Sequence, residues 1–463
     1  MLEKLSTVKP YLKPLYLGVC FFLLFAGYQT TQNYQSGINE TDGYISVALV
    51  YGFFGIGQFV TPLVIYFLTP KYSLFFAGIF YVFYIVTNVY LIRPLYFVAS
   101  AGCGLGAALI WSAAAVLLSG YEQECPKGPF CYTAFYFPYY SFFVGNFVPL
   151  IIDPSKKEMM FMVLSIIAAV AVIMFLFVQD SEPTPPESIP KVLLSTVKAF
   201  IILPLMLLFP IAVSFGVCLS YYYTTMPVLM PINMTSLIYI CMGLGMIIST
   251  FCWGFLVRLF GEKWVLVIPL CCSVIAGVLG ILLEEVEMNE TGKNVVACLL
   301  GAISGISDSG IDSLITAFVN RVWPKEIAPL CAWRIVYLLS MCIALLYSAF
   351  ISRTIVIGIE IGLAVIALFS IFIVIFLYKR VFQRVEDENN EKVKELEESD
   401  KEKRSEQVQE KEATEGKSTS TDKEMSIEKP ESDQNESKSS MSSEDLTTMI
   451  ANEDLRSQGL IDL

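Results

Sequence analysis

Apolar residues run along this chain in blocks of about twenty, parted by proline, glycine and clusters of charge. A helix that crosses a hydrocarbon layer about 30 Å thick needs roughly 20 such residues. Twelve blocks qualify: 14–36, 44–68, 73–91, 95–119, 132–152, 158–178, 200–226, 236–257, 264–283, 294–318, 330–350 and 355–377. The first is read as a retained helix. Its core, Leu15–Ala26, continues into an uncharged Gln/Thr/Asn stretch with no small-residue cleavage site, unlike a signal peptide. The pattern predicts an all-α membrane protein of twelve transmembrane helices.

The longest internal loop divides these blocks six and six. It contains Ser181–Glu187, whose prolines predict a stiff, extended linker. The expected organisation is a six-helix half over 1–178, a cytoplasmic linker over 179–195, a second six-helix half over 196–377 and a disordered acidic tail over 378–463. A faint repeat agrees with the split: Pro62 and Gly254 each stand nine residues before a loop lysine, Lys71 and Lys263, after the second block of each half. Two related halves joined by a cytoplasmic linker is the plan of the major facilitator superfamily.

Loop charge sets the expected orientation. With the N-terminus inside, the cytoplasmic side receives most of the lysine and arginine, including Lys71, Lys191, Lys263, Arg321 and the Lys379, Arg380, Arg384 cluster. Three Asn-x-Ser/Thr acceptors, at Asn39, Asn233 and Asn289, then fall outside as candidate glycosylation sites, while Asn435 falls inside.

Composition sharpens this picture. Of 463 residues 55% are hydrophobic and only 16% are charged, against about 25% charged in soluble domains. The charge is uneven. From Tyr378 onward there are 14 Lys and Arg against 24 Asp and Glu, whereas the first 377 residues hold 17 and 19. A nearly neutral apolar body with an acidic tail excludes a soluble enzyme, a disulfide scaffold and a nucleic-acid binder, which needs a basic face. Histidine is absent, closing imidazole chemistry, and no GxxxxGK[ST] run supplies a phosphate cradle. Ten of the 12 cysteines lie in apolar blocks, and the loop pair Cys125 and Cys131 has no metal-site spacing. Neither a cofactor nor a metal is expected, and no nucleophile–base arrangement points to an enzyme.

Particular runs carry a family resemblance. Phe22–Ser36, Gly43–Gly52 with Pro62 and Pro70–Lys71, Gly104–Ser112 with Leu118–Ser119, and Gly305–Asp308 with Trp323–Pro324 and Tyr347–Ser348 resemble blocks of the uncoordinated protein 93-like family, a branch of the major facilitator superfamily. The likeness spans both halves. Thr69 departs from it, standing where the family usually has glycine, and 120–131 does not align. The superfamily's loop signature, G-x-x-x-D-R-x-G-R-[KR], is partial: Gly254, Gly261 and Lys263 fit it, Arg258 replaces the acid, and the 62–71 copy also lacks an acid. That acid helps latch the halves of transporters during alternating access. The resemblance implies a regulatory or accessory membrane protein, since family members include regulators of potassium channels and escorts of innate immune receptors.

Polar groups within the apolar blocks identify inward faces, because lipid offers them no partner. In the first block Gln29, Gln32, Asn33 and Ser36 share one helical face; in the seventh, Ser214, Tyr221 and Thr225 do. Two readings stand for these residues: the lining of a central cavity for a solute or ion, or polar glue between helices. In the tenth block Gly301, Gly305, Asp308 and Asp312 share a face. An acid at mid-membrane costs on the order of 2.5–3.5 kcal/mol and is normally paired or functional. Arg334 matches the depth of Asp312, so these two are expected to form an ion pair. Asp308 is left as the deeper, unpaired candidate for proton or cation binding. A purely structural role for all three is the alternative. Glu360, about five residues inside the last block, is read as snorkelling to the interface and given no role. The glycines 102, 104 and 106 are read as packing positions, and the aromatic residues Tyr221–Tyr223 and Trp111 as packing or substrate stacking.

In the tail, Glu386–Glu412 is a Glu/Lys run that at best forms a solvated helix, and Ser442–Asp445 and Asp445–Ile450 loosely match kinase and dileucine sorting patterns. Expected partners are the lipid bilayer and a channel or receptor, or else a small solute or ion carried by a secondary transporter. The expected location is the plasma or endolysosomal membrane, with both termini cytoplasmic.

Overall fold

In a bilayer the backbone satisfies its own polar groups, and for long apolar runs the helix is the way to do so. The computed structural model describes residues 9–125, 128–152, 156–180, 189–323 and 328–418, and every regular element among them is helical. The main helices are α1 (Leu12–Gly57), α2 (Thr61–Val86), α3 (Arg93–Glu124), α4 (Gly128–Tyr140), α5 (Lys157–Phe175), α6 (Phe209–Ser220), α7 (Ile232–Phe260), α8 (Val267–Glu285), α9 (Glu290–Val322), α10 (Ala328–Ser348) and α11 (Arg353–Ser418).

Helix α1 contains two of the expected crossings. Straight, its 46 residues would reach about 69 Å. Gln32 Nε2, however, donates to the Tyr51 hydroxyl at 3.2 Å, and Gly43 abuts the carbonyl of Gln35. Residues this far apart in sequence meet only if the chain doubles back between them. The second limb turns after Gly57 into α2, and α2 breaks at Thr69, whose φ of 62° and ψ of 158° leave the helical region. Beyond the break, 70–86 carries the third expected crossing.

Among the described residues ten helices are long and apolar enough to cross a membrane. The two other predicted blocks are helical but interrupted. Block 44–68 is broken by the turn after Gly57, and block 132–152 passes through the 3₁₀ turn Ser141–Phe147 between α4 and the short helix Val148–Ile151. Buried apolar side chains gather into two clusters. One draws on residues 17–178 with Met246, the other on residues 199–382 with Val47 and Ala48.

Two expectations about the ends of elements are corrected. The linker is partly helix: Ile189–Ala199 is helical, while 181–188 lies outside the described residues. The tail does not lose structure at 378, because α11 runs on to Ser418. Dense Glu and Lys have high helix propensity and pair at i,i+4 spacing, which favours helix despite the acidic balance. Phe382 is buried, and Asn389 Nδ2 donates to the Val322 carbonyl at 2.9 Å. Residues 396–418, helical throughout, belong to a separate unit. The kinase and sorting patterns and Asn435 lie outside the described residues.

Candidate functional site

Three consecutive residues of α9 fasten it to three neighbours. Successive helical residues point about 100° apart, so a run of three can reach three elements. Ser307 lies 2.9 Å from Ser273 of α8. Asp308 Oδ2 accepts a 3.2 Å bond from the Tyr223 hydroxyl. Ser309 lies 2.6 Å from Ser249 of α7 and accepts from Trp253 Nε1 at 3.3 Å. One and two turns earlier, Gly305 and Gly301 touch the carbonyls of Met242 and Ile238. The expected glycine face is thus the contact of α9 with α7, and it sets the depth at which Asp308 sits. Asp308 is only 6% exposed and, contrary to expectation, has a partner in Tyr223.

Asp312, one turn further along, is exposed. Its electrostatic neighbours are Tyr136, Tyr139 and Tyr140 near the end of α4, and Arg334 and Tyr337 of α10. A carboxylate ringed by groups from both halves and still accessible lines a gap between them. Arg334 acts on Asp312 through space, but among the described residues no ion-pair contact joins them. The expected pair is a long-range one. Depth matching alone did not bring them into contact.

The polar face of the first limb of α1 points to the same centre. Gln29 Nε2 donates to Asn33 Oδ1 and Asn33 Nδ2 to Asn146 Oδ1, each at 3.3 Å. Gln32 accepts from Tyr28 at 2.5 Å and bonds Tyr51, and Asp308 acts electrostatically on Tyr51. Gln29, Asn33, Asn146, Tyr223, Tyr239 and Met242 border a void with room for about one water. The amides of α1 therefore both glue helices and line a small central space. Beyond them the halves are bonded together. Tyr34 meets Ser236 at 2.7 Å, and Ser36 and Tyr44 donate to the Thr224 carbonyl at 2.6 and 3.1 Å.

The seventh block is corrected. Ser214 and Tyr221 do share a face, but it turns away from the centre into the second half, beside Cys218, Ser273 and Glu360. The opposite face carries Tyr223 to Asp308. A π-helical turn, Tyr221–Thr225, separates the two directions. Glu360 also departs from expectation. It is fully buried and does not snorkel, because α11 places it against α6 and α8. Periodicity gave no signal for this contact; a lone acid within an apolar block was the only one available.

Two loop features complete the picture. Asp180 accepts from Thr69 Oγ1 at 2.5 Å and from the Lys71 amide at 3.2 Å, so the loop that lacks its own acid is held by one from the start of the linker. Of the three glycosylation candidates, Asn39 commits its Nδ2 to Gln35 and Asn88 at 2.9 and 3.2 Å. Asn289 is exposed, its Oδ1 capping α9 through the Gly292 amide. Asn233 lies in the first turn of α7. Among the described residues no group of three or more His, Cys, Asp or Glu is placed to hold a metal ion.

The helical arrangement is shared with solved transporters. The nucleoside transporter NupG superposes with a TM-score of 0.63 at 12% identity, over 78% of this chain and 98% of its own. The peptide transporter POT in complex with sulfate gives 0.63 at 12%, over 80% and 95%, and the D-xylose-proton symporter 0.59 at 13%, over 78% and 97%. At such identity the likeness establishes the fold alone, the helical arrangement that these solved transporters share. Among curated proteins, UNC93-like protein MFSD11 of Xenopus tropicalis is 24% identical over 181 residues, and that of Xenopus laevis is 25% identical over 181 residues. Each match covers 36% of this chain and 41% of the relative, so the chain spans about two fifths of the length of these relatives. Residues 34–377 match the family described as "Ion channel regulatory protein UNC-93". With most of the chain matched, including Asp308 and Asp312, this protein belongs to the UNC-93 family.

Proposed function

We propose that this chain is a regulatory or accessory membrane protein that acts on an ion channel, with receptor trafficking as the related possibility. The family match across 34–377 carries the reading. The loop geometry supports it. The acid that latches the halves of cycling transporters is replaced by Arg258 in one copy; the other lacks it, and there Asp180 at the start of the linker holds Thr69 and Lys71. The body crosses the membrane twelve times, counting the interrupted blocks 44–68 and 132–152, in two six-helix halves. Both termini are cytoplasmic, in the plasma or an endolysosomal membrane. Asn289 is the glycosylation acceptor best suited by exposure, and a glycosidase-sensitive mobility shift lost in Asn289→Gln would fix its side as the outer one. Affinity purification from native membranes in mild detergent should bring down a membrane partner whose current or location changes on deletion of this protein. Recovery of the chain alone, with partner currents intact, would overturn the reading.

One observation favours a second reading, secondary transport of a small solute or cation. Asp308 lies buried at the head of a gap lined by exposed Asp312. Buried acids in membrane spans commonly mark ion pathways. Gradient-dependent uptake into proteoliposomes that collapses in Asp308→Asn would establish transport. Absence of uptake across a broad solute panel would remove it.

A further inference from the structure

The membrane body contains another buried carboxyl, and neither reading above uses it. Glu360 of α11 is 0% exposed. Its Oε1 accepts from Cys218 Sγ at 3.2 Å, while its Oε2 has no partner among the described residues. Oε2 rests on Gly277 of α8, where a Cβ would collide with it; glycine leaves the carboxyl its place. One turn along, Gly280 makes the same allowance for the hydroxyl of Tyr221, which is also buried and without a partner.

Among the described residues the surroundings supply no countercharge. The titratable groups that act with Glu360 are Cys218, Tyr221 and Tyr222 from α6 and its π turn, and Tyr347 from α10. Helix α8 presents Ser273 and Gly277. Arg353, seven residues earlier on α11, is committed to Glu284 at 3.3 Å and to the Val228 carbonyl at 2.8 Å. An ionised carboxylate enclosed this way, without a cation, bears a desolvation cost of several kcal/mol. Such a group becomes neutral by taking a proton.

We propose that Glu360 is a proton-binding site, with Oε2 as the atom that carries the proton, wired to the helix of Asp308 through Cys218, Ser273 and Ser307. The wire is continuous in the structure. Cys218 Sγ lies 3.1 Å from Ser273 Oγ, which lies 2.9 Å from Ser307 Oγ, the neighbour of Asp308. The Tyr222 hydroxyl joins it, 3.3 Å from Ser273 Oγ. The π turn serves both acids, with Tyr221 and Tyr222 toward Glu360 and Tyr223 toward Asp308. Single π turns inside helices recur at functional sites. The chemistry is one proton bound from water and a carboxylate neutralised, so it depends on neither transport nor a protein partner.

Infrared spectroscopy of the purified full-length protein at neutral pH tests this directly. The expected result is a carbonyl stretch of a neutral carboxylic acid that is lost in Glu360→Gln and kept in Asp308→Asn. Loss of carboxylate bands in Glu360→Gln, with no neutral-acid band changed, overturns the proposal. Cys218→Ala keeps the test decisive should the glutamine variant fail to fold. Removing the S–H donor should shift the neutral-acid band, and an unshifted band, or none, overturns the assignment.

Discussion

The hydroxyl of Tyr223 donates a 3.2 Å hydrogen bond to Oδ2 of Asp308, and through it the π turn of one helix holds the acidic face of another. Both residues border the centre of the bundle, and the bond decides where the deeper of the two α9 carboxyls points.

Tyr223→Phe removes that donor while leaving the ring. A buried acceptor deprived of its partner costs about 1–3 kcal/mol, so the variant should unfold at a lower temperature in detergent. In an Asp308→Ala background the same change should cost little. A thermal-melt double-mutant cycle measures the difference, and equal losses in both backgrounds would show that the bond contributes nothing.

Gly305 sits against the Met242 carbonyl, and any side chain there drives α9 off α7. Gly305→Val should cost about 1–3 kcal/mol or more, as overpacking does, and sharply reduce the yield of monodisperse protein on size exclusion. Gly358→Val is the matched control, since nothing lies within 4 Å of a Cβ at that position. Similar yields from the two would mean that the helices can part freely.

Thr69 adopts φ 62° and ψ 158°, a region that costs a residue with a side chain of order 1–3 kcal/mol. Its hydroxyl bond to Asp180 offsets part of this. Thr69→Gly should therefore be near neutral in the wild type and stabilising in Asp180→Ala, as read by melting temperature. Equal destabilisation in both backgrounds would contradict the strain argument.

The gap between the halves predicts a contrast in chemical access. Asp312→Cys should react with a water-soluble maleimide, with the wild type as control for the native thiols, whereas Asp308→Cys should stay protected. Equal labelling of both positions would mean that Asp308 also faces water.

Much of this site was legible in the residues. The spacing of Gly301, Gly305, Asp308 and Asp312 placed them on one face, and the glycines do meet a neighbouring helix. Gln29, Gln32 and Asn33 point to the centre as their spacing implied. Ser214 and Tyr221 share a face, yet that face meets Glu360. Asp312 and Arg334 match in depth, yet no ion-pair contact joins them among the described residues. In each case periodicity reported which residues point the same way, and packing chose what they point at.

By itself the sequence determined that the chain is helical and apolar enough to span a membrane, where most of its long apolar helices lie, and which side chains share a face. These follow from local hydropathy and from the 3.6-residue period, which need no knowledge of distant residues. Only the tertiary structure decided that Tyr223 serves Asp308, that Asp180 supplies the acid missing from the 62–71 loop, and that Glu360 lies buried. Each of these depends on the rotation and approach of helices distant in sequence, which are set by close packing across the bundle and leave no trace in any one segment.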